Sequence, residues 1–437
     1  RPCFLELAMG HNAIIAHAGA STAAYEMIDK YGIDNLDGVN MYLPDGVFYR
    51  DEKRLETMSY EHTMMTSGRG IVSGIAYRKY LAESESSEKS AFRFADSLSD
   101  KATPSGKADK ISFNYSADNR IDYIYDKENN GSDSEILHNC RLCPRRCGAD
   151  RLSGQRGFCL AGGETVRLGR AALHFYEEPC ISGEKGSGAV FFSGCNMRCD
   201  YCQNGSLSRG FCGVDITVSR LAEIFSELQG KGAHNINLVT PTHYVPQIKK
   251  AIAKSREELG MTLPVVYNTS GYELSETIRS LDGFVDIYLP DFKYISEETA
   301  VKYSSAPSYA EYAESALDEM VRQCPFPEFD DDGMMKRGVI VRHLLLPEQL
   351  EASKKAIAYL HGRYGDRIYI SIMSQYTPQK GVHFSELESA VPYAEYEELV
   401  DYAVSIGVTN GFIQDDGTAD DSFIPSFDGE GVLRAED

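Results

Sequence analysis

Residues 188–204 read GAVFFSGCNMRCDYCQN, and this stretch determines which fold and which chemistry the chain can carry. It contains three cysteines in the spacing Cys195-x3-Cys199-x2-Cys202, directly after an apolar run that ends at Gly194. A cubane iron–sulfur cluster normally takes one thiolate on each of its four irons. Three close cysteines without a local fourth leave one iron open, and an open iron can chelate the amino and carboxylate groups of S-adenosylmethionine. The alternative is a structural zinc site, but zinc ligands usually come as two separated pairs.

A second set of cysteines precedes the triplet in residues 138–159, HNCRLCPRRCGADRLSGQRGFC. Its spacing is Cys140-x2-Cys143-x3-Cys147-x11-Cys159, which supplies four thiolates. Four thiolates suit either a tetrahedral zinc ion or a second iron–sulfur cluster, and the spacing leaves both open. Cys180, in a loop that follows, is an alternative ligand.

Composition limits the class of protein. The 437 residues suffice for two or three domains, and 44 basic against 65 acidic residues give a net charge of −21. Such a charge disfavours a nucleic-acid partner, because phosphate binding needs clustered Lys and Arg. Eight of the eleven cysteines fall between residues 140 and 202, which favours metal-bound thiolates in a reducing, cytoplasmic setting. We find no apolar run of membrane-spanning length and no signal peptide, so we expect no membrane association.

Four regions follow from the pattern along the chain. Residues 1–81 form an N-terminal region that we cannot assign, with a helix predicted over Ala13–Ile33 and a turn at Pro44-Asp45-Gly46 between two extended runs. Residues 82–134 are rich in Ser, Lys, Asp, Glu and Asn and predict a disordered linker. Residues 135–185 are the Cys-rich metal-binding segment, and residues 186–437 form the last region.

From residue 186 onward, short apolar runs alternate with amphipathic stretches of helical period. Runs rich in Val, Ile and Leu that alternate with helices imply a parallel sheet. The six predicted strands are GAVFFSG and residues 235–240, 264–269, 284–289, 338–346 and 367–373. The predicted helices cover residues 218–230, 243–258, 273–281, 297–322, 348–363 and 394–405.

Polar residues lie in or just after five of these strands, and the cysteine triplet follows the first strand. In parallel barrels the chemistry sits at the carboxyl ends of the strands. Each of these residues alone could have a purely structural role in a turn, in a helix cap or as a polar group with a local hydrogen-bond partner. The five stretches together favour a functional site. The stretches are Thr240-Pro241-Thr242-His243, Asn268-Thr269-Ser270-Gly271-Tyr272, Pro290-Asp291-Phe292-Lys293, Arg342-His343 and Ser374-Gln375-Tyr376.

The triplet, its preceding strand and Tyr201 resemble the radical SAM superfamily. More narrowly, residues 140–417 are similar to the uncharacterised family of pyruvate formate-lyase activating enzyme-like proteins, through phrases such as CRLCPRRCG, EEPCISG, NINLVTPTHY, VRHLLLPE and MSQYTP. The resemblance implies an α/β fold with a partial (β/α)6 barrel over residues 186–437. Glycyl-radical-enzyme activases use Asp-Thr-Asn-Gly after strand three and Asp-Leu-Lys after strand four. This chain has Asn268-Thr269-Ser270-Gly271 and Asp291-Phe292-Lys293.

The resemblance also implies roles for single residues. Cys195, Cys199 and Cys202 would bind the [4Fe–4S] cluster, and Tyr201 would pack beside adenine, its alternative being a core aromatic. Thr242, Asn268 and Ser270 would hold polar groups of the methionine or ribose. Asp291 and Lys293 would form a buried pair near the substrate, and Arg342 would anchor a carboxylate through its planar fork. His343 would be a proton donor or an orienting group, with a core histidine as the alternative.

The implied function is reductive cleavage of S-adenosylmethionine to a 5′-deoxyadenosyl radical that abstracts hydrogen from an unknown substrate, an oxidoreductase reaction. Activation of a glycyl radical enzyme is one version of it. The implied partners are a reducing donor such as flavodoxin or ferredoxin and a glycyl radical enzyme or another protein substrate. A non-catalytic iron–sulfur electron carrier or a zinc-bound scaffold is the competing interpretation, although a carrier would need neither six strands with polar ends nor an open iron.

Overall fold

The computed structural model describes residues 133–414 and 425–434, together with six short strands in the first 72 residues. The first five of these strands form a separate sheet in the order β1-β2-β3-β4-β5, and the sixth pairs with the last strand of the main sheet. Their bounds are β1 Leu5–Ala8, β2 Ala13–Ala16, β3 Asn40–Tyr42, β4 Val47–Arg50, β5 Arg54–Thr57 and β6 Ile71–Val72.

The helix predicted from Ala13 is wrong over Ala13–Ala16, which is a strand. Ile14 and Ile15 are β-branched and favour an extended backbone, which outweighs the alanines beside them. The two extended runs around Pro44 are confirmed as β3 and β4, which pair antiparallel. The turn itself, the rest of the predicted helix and linker residues 82–132 lie outside the described residues.

From residue 133 onward, helices alternate with strands. Three short 3-10 turns cover Thr242–Tyr244, Gly365–Arg367 and Ser385–Glu388. The elements are α1 Asp133–His138, β7 Val166–His174, α2 Pro179–Ser182, β8 Ser187–Phe192, α3 Gly205–Ser208, β9 Val214–Ile216, α4 Val218–Gly230, β10 Ile236–Val239, α5 Val245–Glu258, β11 Val265–Thr269, α6 Ser275–Arg279, β12 Ile287–Pro290, α7 Glu297–Ser304, α8 Tyr309–Gln323, β13 Glu328–Phe329, β14 Met335–Leu344, α9 Leu350–Tyr364, β15 Tyr369–Met373, α10 Tyr393–Ser405 and β16 Gly411–Gln414.

The main sheet has the order β6-β16-β15-β14-β12-β11-β10-β8-β7-β9, with β13 paired to β14. The pairs from β8 to β16 are parallel. The α/β class and the partial barrel are confirmed, and all six predicted strands are present. The strand count is corrected from six to seven parallel strands, because β16, with only four residues, was not recognised in the sequence.

Two further differences concern boundaries. β7 lies inside the predicted segment 135–185, yet it pairs antiparallel with β8, so the sheet begins before residue 186. Val166 and Leu168 are fully buried and give this strand its place in the core. The single helix predicted over 297–322 is two helices, α7 and α8. Ser305 and Ser308 have φ of 47° and 55°, and Pro307 between them cannot continue a helix.

The longer helices pack on one face of the sheet, and the short helix α2 packs on the other. In the large hydrophobic core, Ile248 and Leu317 of the helices pack with strand residues such as Tyr267. On the other face, Cys180 and Ile181 of α2 pack with Val266 and other strand residues. Cys180 thus belongs to an apolar cluster, which argues against its use as an alternative metal ligand. Each described helix is too short or too polar to cross a membrane.

Candidate active site

A cavity of about 260 Å³ opens at the carboxyl ends of the parallel strands, where the sequence placed the chemistry. All three cysteines of the triplet line it, and of the described residues that line the cavity, no fourth is a cysteine. The predicted residues that line it with the triplet are Tyr201, Asn268, Ser270, Asp291, Lys293 and Arg342.

The loop that carries the triplet is fixed by backbone hydrogen bonds. β8 ends at Phe192, and the Gly194 amide donates to the Leu207 carbonyl at 2.9 Å. The amides of Arg198 and Asp200 donate to the carbonyls of Ser304 and Tyr303 at 3.0 and 2.8 Å. The last carbonyls of a helix have no partner within the helix, so the end of α7 anchors this loop.

The three thiols form a donor set suited to a cluster with one open iron. The Met197 amide donates to Cys195 Sγ at 3.4 Å, and the Ser304 hydroxyl donates to Cys199 Sγ at 3.0 Å. Burial raises the pKa of Cys195 to about 12 and that of Cys199 to about 11, so these thiols become thiolates only beside a strong positive charge such as iron. In the part of the chain that the structure describes, no three His, Cys, Asp or Glu side chains are arranged to hold a single metal ion.

Tyr201 connects to the triplet through a chain of hydroxyl groups. Its hydroxyl bonds that of Tyr294 at 2.6 Å, and Tyr294 bonds the Ser304 hydroxyl, also at 2.6 Å. Ser304 in turn donates to Cys199 Sγ. The Tyr201 ring also meets the Tyr376 ring edge-on at 6.1 Å between centroids. Tyr201 is therefore a fixed, buried wall of the cavity, and its contact with adenine stays a prediction.

Asp291 and Lys293 form the buried ion pair that the sequence predicted, with Nζ 2.6 Å from Oδ2. Asp291 also accepts from Arg342 Nε at 3.1 Å. Burial alone would raise the pKa of Asp291, but the ammonium of Lys293 and the guanidinium of Arg342 outweigh it and hold this pKa below its usual range. The carboxylate is therefore charged and satisfied between two cations.

The fork of Arg342 is filled by protein groups. Besides Asp291, it donates to Glu177 Oε2 at 3.0 Å and to Asn268 Oδ1. These contacts leave little of the fork for a substrate carboxylate and favour a positioning role for Arg342. Glu177 is the functional residue that the sequence reasoning missed. It lies before β8 but lines the cavity, and only its place in the phrase EEPCISG hinted at it.

Asn268 and Ser270 line the cavity, whereas Thr242 does not. The Ser270 hydroxyl is buried and has no hydrogen-bond partner, so it is available to a ligand. Thr242 is buried on a 3-10 turn, and its hydroxyl donates to Glu273 Oε1 at 2.6 Å. Thr240, with a φ of 59°, lines the cavity at the end of β10 instead.

Glu273 is a buried carboxyl surrounded by hydroxyl groups. Its Oε1 accepts from Thr242, from Thr269 at 2.5 Å and from Tyr267 at 3.3 Å, while Oε2 has no partner. Burial raises the pKa of Glu273 to about 7 and the three hydroxyl bonds only partly oppose it. The group therefore changes charge near neutral pH.

His343 does not face the cavity, because neighbouring residues of a strand point to opposite faces of the sheet. Arg342 points into the cavity, and His343 lies on the other face, where its Nδ1 contacts the Phe292 carbonyl at 2.6 Å. Burial lowers the pKa of His343 to about 4, which keeps the ring neutral. The structure favours the core histidine over the proton donor.

The second cysteine set packs beside the triplet loop. The Cys140 amide donates to the Ala149 carbonyl at 3.1 Å, and the Arg146 amide donates to the Cys143 carbonyl at 2.9 Å, so the chain turns tightly around these residues. Cys140, Cys143 and Cys159 are buried and Cys147 is exposed. A side chain at Gly194 would place its Cβ 2.2 Å from the Cys159 carbonyl oxygen, so the two cysteine regions touch there.

Comparisons with known proteins give two family matches. Residues 1–81 match the family model described as the N-terminal domain of a protein of unknown function, DUF3048. Residues 189–322, which hold the triplet and the ends of strands β10 to β12, match the family model of the radical SAM superfamily.

The chain is also similar to an uncharacterized protein, MJ0674, of Methanocaldococcus jannaschii, with 27% identity over 280 residues that make up 61% of this chain and 75% of that protein. Among solved structures, SuiB of Streptococcus suis bound to S-adenosylmethionine aligns with a TM-score of 0.36 and 10% identity over 48% of this chain and 45% of SuiB. The FeFe-hydrogenase maturase HydG of Carboxydothermus hydrogenoformans aligns with a TM-score of 0.36 and 12% identity over 50% of each chain. The chain thus spans about half the length of these structures.

The family match falls on the residues whose geometry is described above. The superfamily implies a [4Fe–4S] cluster and S-adenosylmethionine, and three cavity-lining cysteines without a fourth fit that cluster. Residues 189–322 are thus a radical SAM domain by their family match, and this domain supports the interpretation of the chain as a radical SAM enzyme.

Proposed function

We propose that this enzyme cleaves S-adenosylmethionine reductively and abstracts a hydrogen atom from a substrate held in the cavity at the strand ends. The cluster would supply the electron for that cleavage and an open iron on which S-adenosylmethionine can be chelated. Cys195, Cys199 and Cys202 would hold the cluster. The observation that carries the proposal is that these thiols and the polar strand ends line one cavity.

The other residues of the cavity would bind and orient the ligands. The unpartnered Ser270 hydroxyl is available to a polar group of the methionine or ribose. Lys293 uses one of its three donors on Asp291, and its ammonium lines the cavity, so it would hold an anionic group there. Arg342 and Glu177 would keep Asp291 and Asn268 in place. Leu344 and Met373, which also line the cavity, would limit the access of water.

Activation of a glycyl radical enzyme is a narrower candidate within this function. The Asp291-Phe292-Lys293 segment supports it, because it differs from the activase segment Asp-Leu-Lys only in its middle residue and because its charged pair lines the cavity. Incubation with a glycyl radical enzyme tests this version. A glycyl radical signal in electron paramagnetic resonance (EPR) would support it. Turnover of S-adenosylmethionine without that signal would favour another substrate.

We also propose a metal for Cys140, Cys143, Cys147 and Cys159. The tight backbone turns around three buried thiols and their packing against the triplet loop support this proposal. Because no three described His, Cys, Asp or Glu side chains are arranged around a single ion, binding of zinc would require these thiols to turn toward one another. Zinc would tie the segment together, and a second cluster would add a redox centre. A count of iron, sulfide and zinc on one sample separates the two. About four irons and one zinc per chain would indicate zinc at the second cysteine set, and about eight irons would indicate a second cluster there.

The test of the main proposal is 5′-deoxyadenosine release from anaerobically reconstituted protein with dithionite and S-adenosylmethionine. We expect release from the wild type, none from Cys199→Ala, and release from the matched control Cys212→Ala, whose thiol lies outside both sets and contacts Ser206. A wild type that carries the cluster, shows no change in its EPR signal with S-adenosylmethionine and releases no product would overturn the proposal in favour of an electron carrier.

A further inference from the structure

The turn between α7 and α8 has a backbone that its neighbours hold in place. Ser305 and Ser308 have φ of 47° and 55°, which residues other than glycine rarely adopt. The Ser308 amide donates to both carboxylate oxygens of Glu297, at 2.9 and 2.8 Å. The Tyr272 hydroxyl donates to the Pro307 carbonyl at 2.8 Å. Such conformations persist only where the surroundings fix them, and they cluster at functional sites.

Tyr309 directly follows this turn as the first residue of α8, and it is fully buried. Its ring stacks on that of Tyr272, with centroids 6.1 Å apart and 16° between the planes. The Tyr294 ring meets it edge-on at 5.4 Å, and the Phe292 ring lies at 6.5 Å. Three rings and the turn therefore fix where the Tyr309 hydroxyl lies. A buried tyrosine hydroxyl needs hydrogen-bond partners, and here they are backbone groups.

The Tyr309 hydroxyl connects the ends of β11 and β12. It donates to two carbonyls that share its proton, that of Ser270 at 2.8 Å and that of Asp291 at 2.9 Å. It also accepts from the Lys293 amide at 2.9 Å. Ser270, Asp291 and Lys293 line the cavity, whereas Tyr309 does not. One hydroxyl outside the cavity thus holds the backbone of three residues whose side chains are candidates for ligand contacts.

The approach of these two strand ends depends on a glycine. Gly271 has a φ of 78°, and a Cβ there would lie 2.1 Å from the Asp291 carbonyl oxygen and 2.9 Å from the Tyr309 hydroxyl. The backbone of β11 therefore contacts that of β12 at the place where the hydroxyl bonds both. Loss of the hydroxyl would remove a donor from buried carbonyls, which is unfavourable unless the strand ends move to another donor.

The same segment also holds the loop that carries the triplet. The carbonyls of Tyr303 and Ser304 accept from amides of this loop, and the Ser304 hydroxyl donates to Cys199 Sγ. Residues 303–309 thus bond the cysteine loop at one end and the ends of β11 and β12 at the other. The spacing between the cysteines and the polar groups of the cavity depends on this segment, because it contacts both.

We propose that Tyr309 is a positioning residue for S-adenosylmethionine, an inference that rests on the proposed function. Its hydroxyl would keep the Ser270 hydroxyl and the Lys293 ammonium at the place where both can contact this ligand. Groups that are already ordered bind more tightly, because less freedom is lost on binding. Loss of the Tyr309 hydroxyl should therefore weaken S-adenosylmethionine binding, while the bonds from Tyr303 and Ser304 keep the cysteine loop in place.

The test is the dissociation constant of S-adenosylmethionine in Tyr309→Phe, measured by titration of the EPR signal of the reduced, reconstituted cluster. We expect an affinity about tenfold weaker than that of the wild type. The control is Tyr288→Phe, which also loses a buried hydroxyl bond in this region, to Gln323 Oε1 at 2.6 Å, but does not line the cavity. The control should keep the affinity within about twofold. Because only protein that carries the cluster gives the signal, a lower iron content does not affect the comparison.

Equal affinities in Tyr309→Phe and Tyr288→Phe would overturn the proposal. Two further backgrounds separate positioning from a general loss of packing, because residues that act through one another have non-additive effects. The loss caused by Tyr309→Phe should be smaller than tenfold in Ser270→Ala or in Lys293→Met. An undiminished loss in both backgrounds would show that Tyr309 acts through neither group, and the proposal would fail.

The proposed function fails by a different result. A wild type that binds S-adenosylmethionine, as its EPR signal shows, but releases no 5′-deoxyadenosine would refute the radical reaction. The affinities of the variants would still decide the role of Tyr309.

Discussion

Asp291 is the carboxylate on which the charge balance of the cavity depends. Its side chain is 14% exposed and lies between Lys293 and Arg342. In Asp291→Asn these two cations would stay buried with less negative charge beside them. Breaking a buried ion pair from one side costs roughly 3–5 kcal/mol, so we expect a loss of about 3 kcal/mol in the free energy of unfolding and no turnover.

Urea unfolding measures this loss against a matched control, Asp318→Asn. Asp318 pairs with Arg363 at the surface, where both side chains are about 45% exposed. An exposed pair contributes roughly 0–1 kcal/mol. Equal losses in the two variants would contradict the buried network as described.

Glu273 makes stability depend on pH in the direction opposite to an ordinary carboxyl group. Burial raises its pKa from 4.5 to about 7 in the folded protein, so the folded state binds more protons than the unfolded state between these values. Stability that is fully present below pH 4.5 is therefore lost as the pH rises to about 7, by up to about 3 kcal/mol. Glu273→Gln, which is neutral throughout, should flatten this dependence and be the more stable protein at pH 8.

The measurement for Glu273 is the urea midpoint at pH 5.5 and at pH 8 for both proteins. An equal fall in the variant and in the wild type would show that the carboxyl is ionised in both the folded and the unfolded protein across this range. Glu276→Gln is the control, because Glu276 lies on an exposed surface in a pair with Arg146 and should leave the dependence unchanged.

At the scale of elements, the end of helix α7 holds the triplet loop and tunes its sulfur. Ser304 donates to Cys199 Sγ at 3.0 Å, and such a bond stabilises the extra electron of a reduced cluster. Loss of a bond that contributes about 1 kcal/mol would lower the reduction potential by up to about 40 mV in Ser304→Ala. An EPR-monitored redox titration measures the potential. Ser296→Ala is the control on the same helix, since the Ser296 side chain only accepts from the Thr299 amide at the helix start. A shift of equal size in the control would refute this role.

Gly194 is the contact between the triplet loop and the second cysteine set. Its φ is 91°, and a Cβ would lie 2.2 Å from the Cys159 carbonyl oxygen. Gly232→Ala is the matched control, because Gly232 has a φ of 87° and open space around it. Left-handed strain costs roughly 1–2 kcal/mol in both variants, and the clash adds roughly 1–3 kcal/mol in Gly194→Ala alone.

We expect Gly194→Ala to bind less iron than Gly232→Ala after the same reconstitution, because the clash separates the loop from the segment behind it. Iron content and the urea midpoint are the measurements. Equal iron content in the two variants would show that the Cys159 contact does not support the cluster site.

The helical period and the apolar runs of the sequence were enough to predict those helices and strands that bury a regular apolar face in the core. Helix α4 was predicted over 218–230 and is found at Val218–Gly230, with Leu221, Ile224, Phe225 and Leu228 buried. The break between α7 and α8 is not predictable from the apolar period, which continues through Pro307. Strand β7 is not predictable either, because Gly169 and Arg170 interrupt its apolar residues.

At the scale of the whole molecule, the sequence could predict which strand ends meet, because parallel strands bring their carboxyl ends to one edge. Asn268, Asp291 and Arg342 meet for that reason. Glu177 could not be predicted in the same way, since it comes from the loop before β8 and reaches the cavity from another part of the chain. The hydrogen bond from Arg342 to Glu177 occupies part of the guanidinium and so limits which of its nitrogens a ligand can use. The sequence of β14 alone therefore could not predict the role of Arg342.

The barrel should fold without the first 132 residues. The described contact between the two parts is the short ladder of β6 with β16, where Val72 pairs with Ile413 and Ile71 with Gln414. One or two backbone hydrogen bonds contribute about 1–2 kcal/mol in total, which the core from β7 to β16 can lose. The Gln414 side chain keeps its bonds to Ser374 and Gln375. We therefore expect residues 133–437 to be soluble and to bind the wild-type amount of iron.

Removal of residues 425–437 is the contrasting deletion. The Ala171 amide donates to the Glu430 carbonyl at 2.8 Å, the Gly429 amide donates to the Gly169 carbonyl at 2.9 Å, and Pro425 lines the cavity. We expect this shorter deletion to lose iron and to melt at a lower temperature, because it uncovers β7 and one wall of the cavity. If the 133–437 fragment is insoluble while the C-terminal deletion stays intact, then the N-terminal region, rather than the C-terminal residues, covers the barrel.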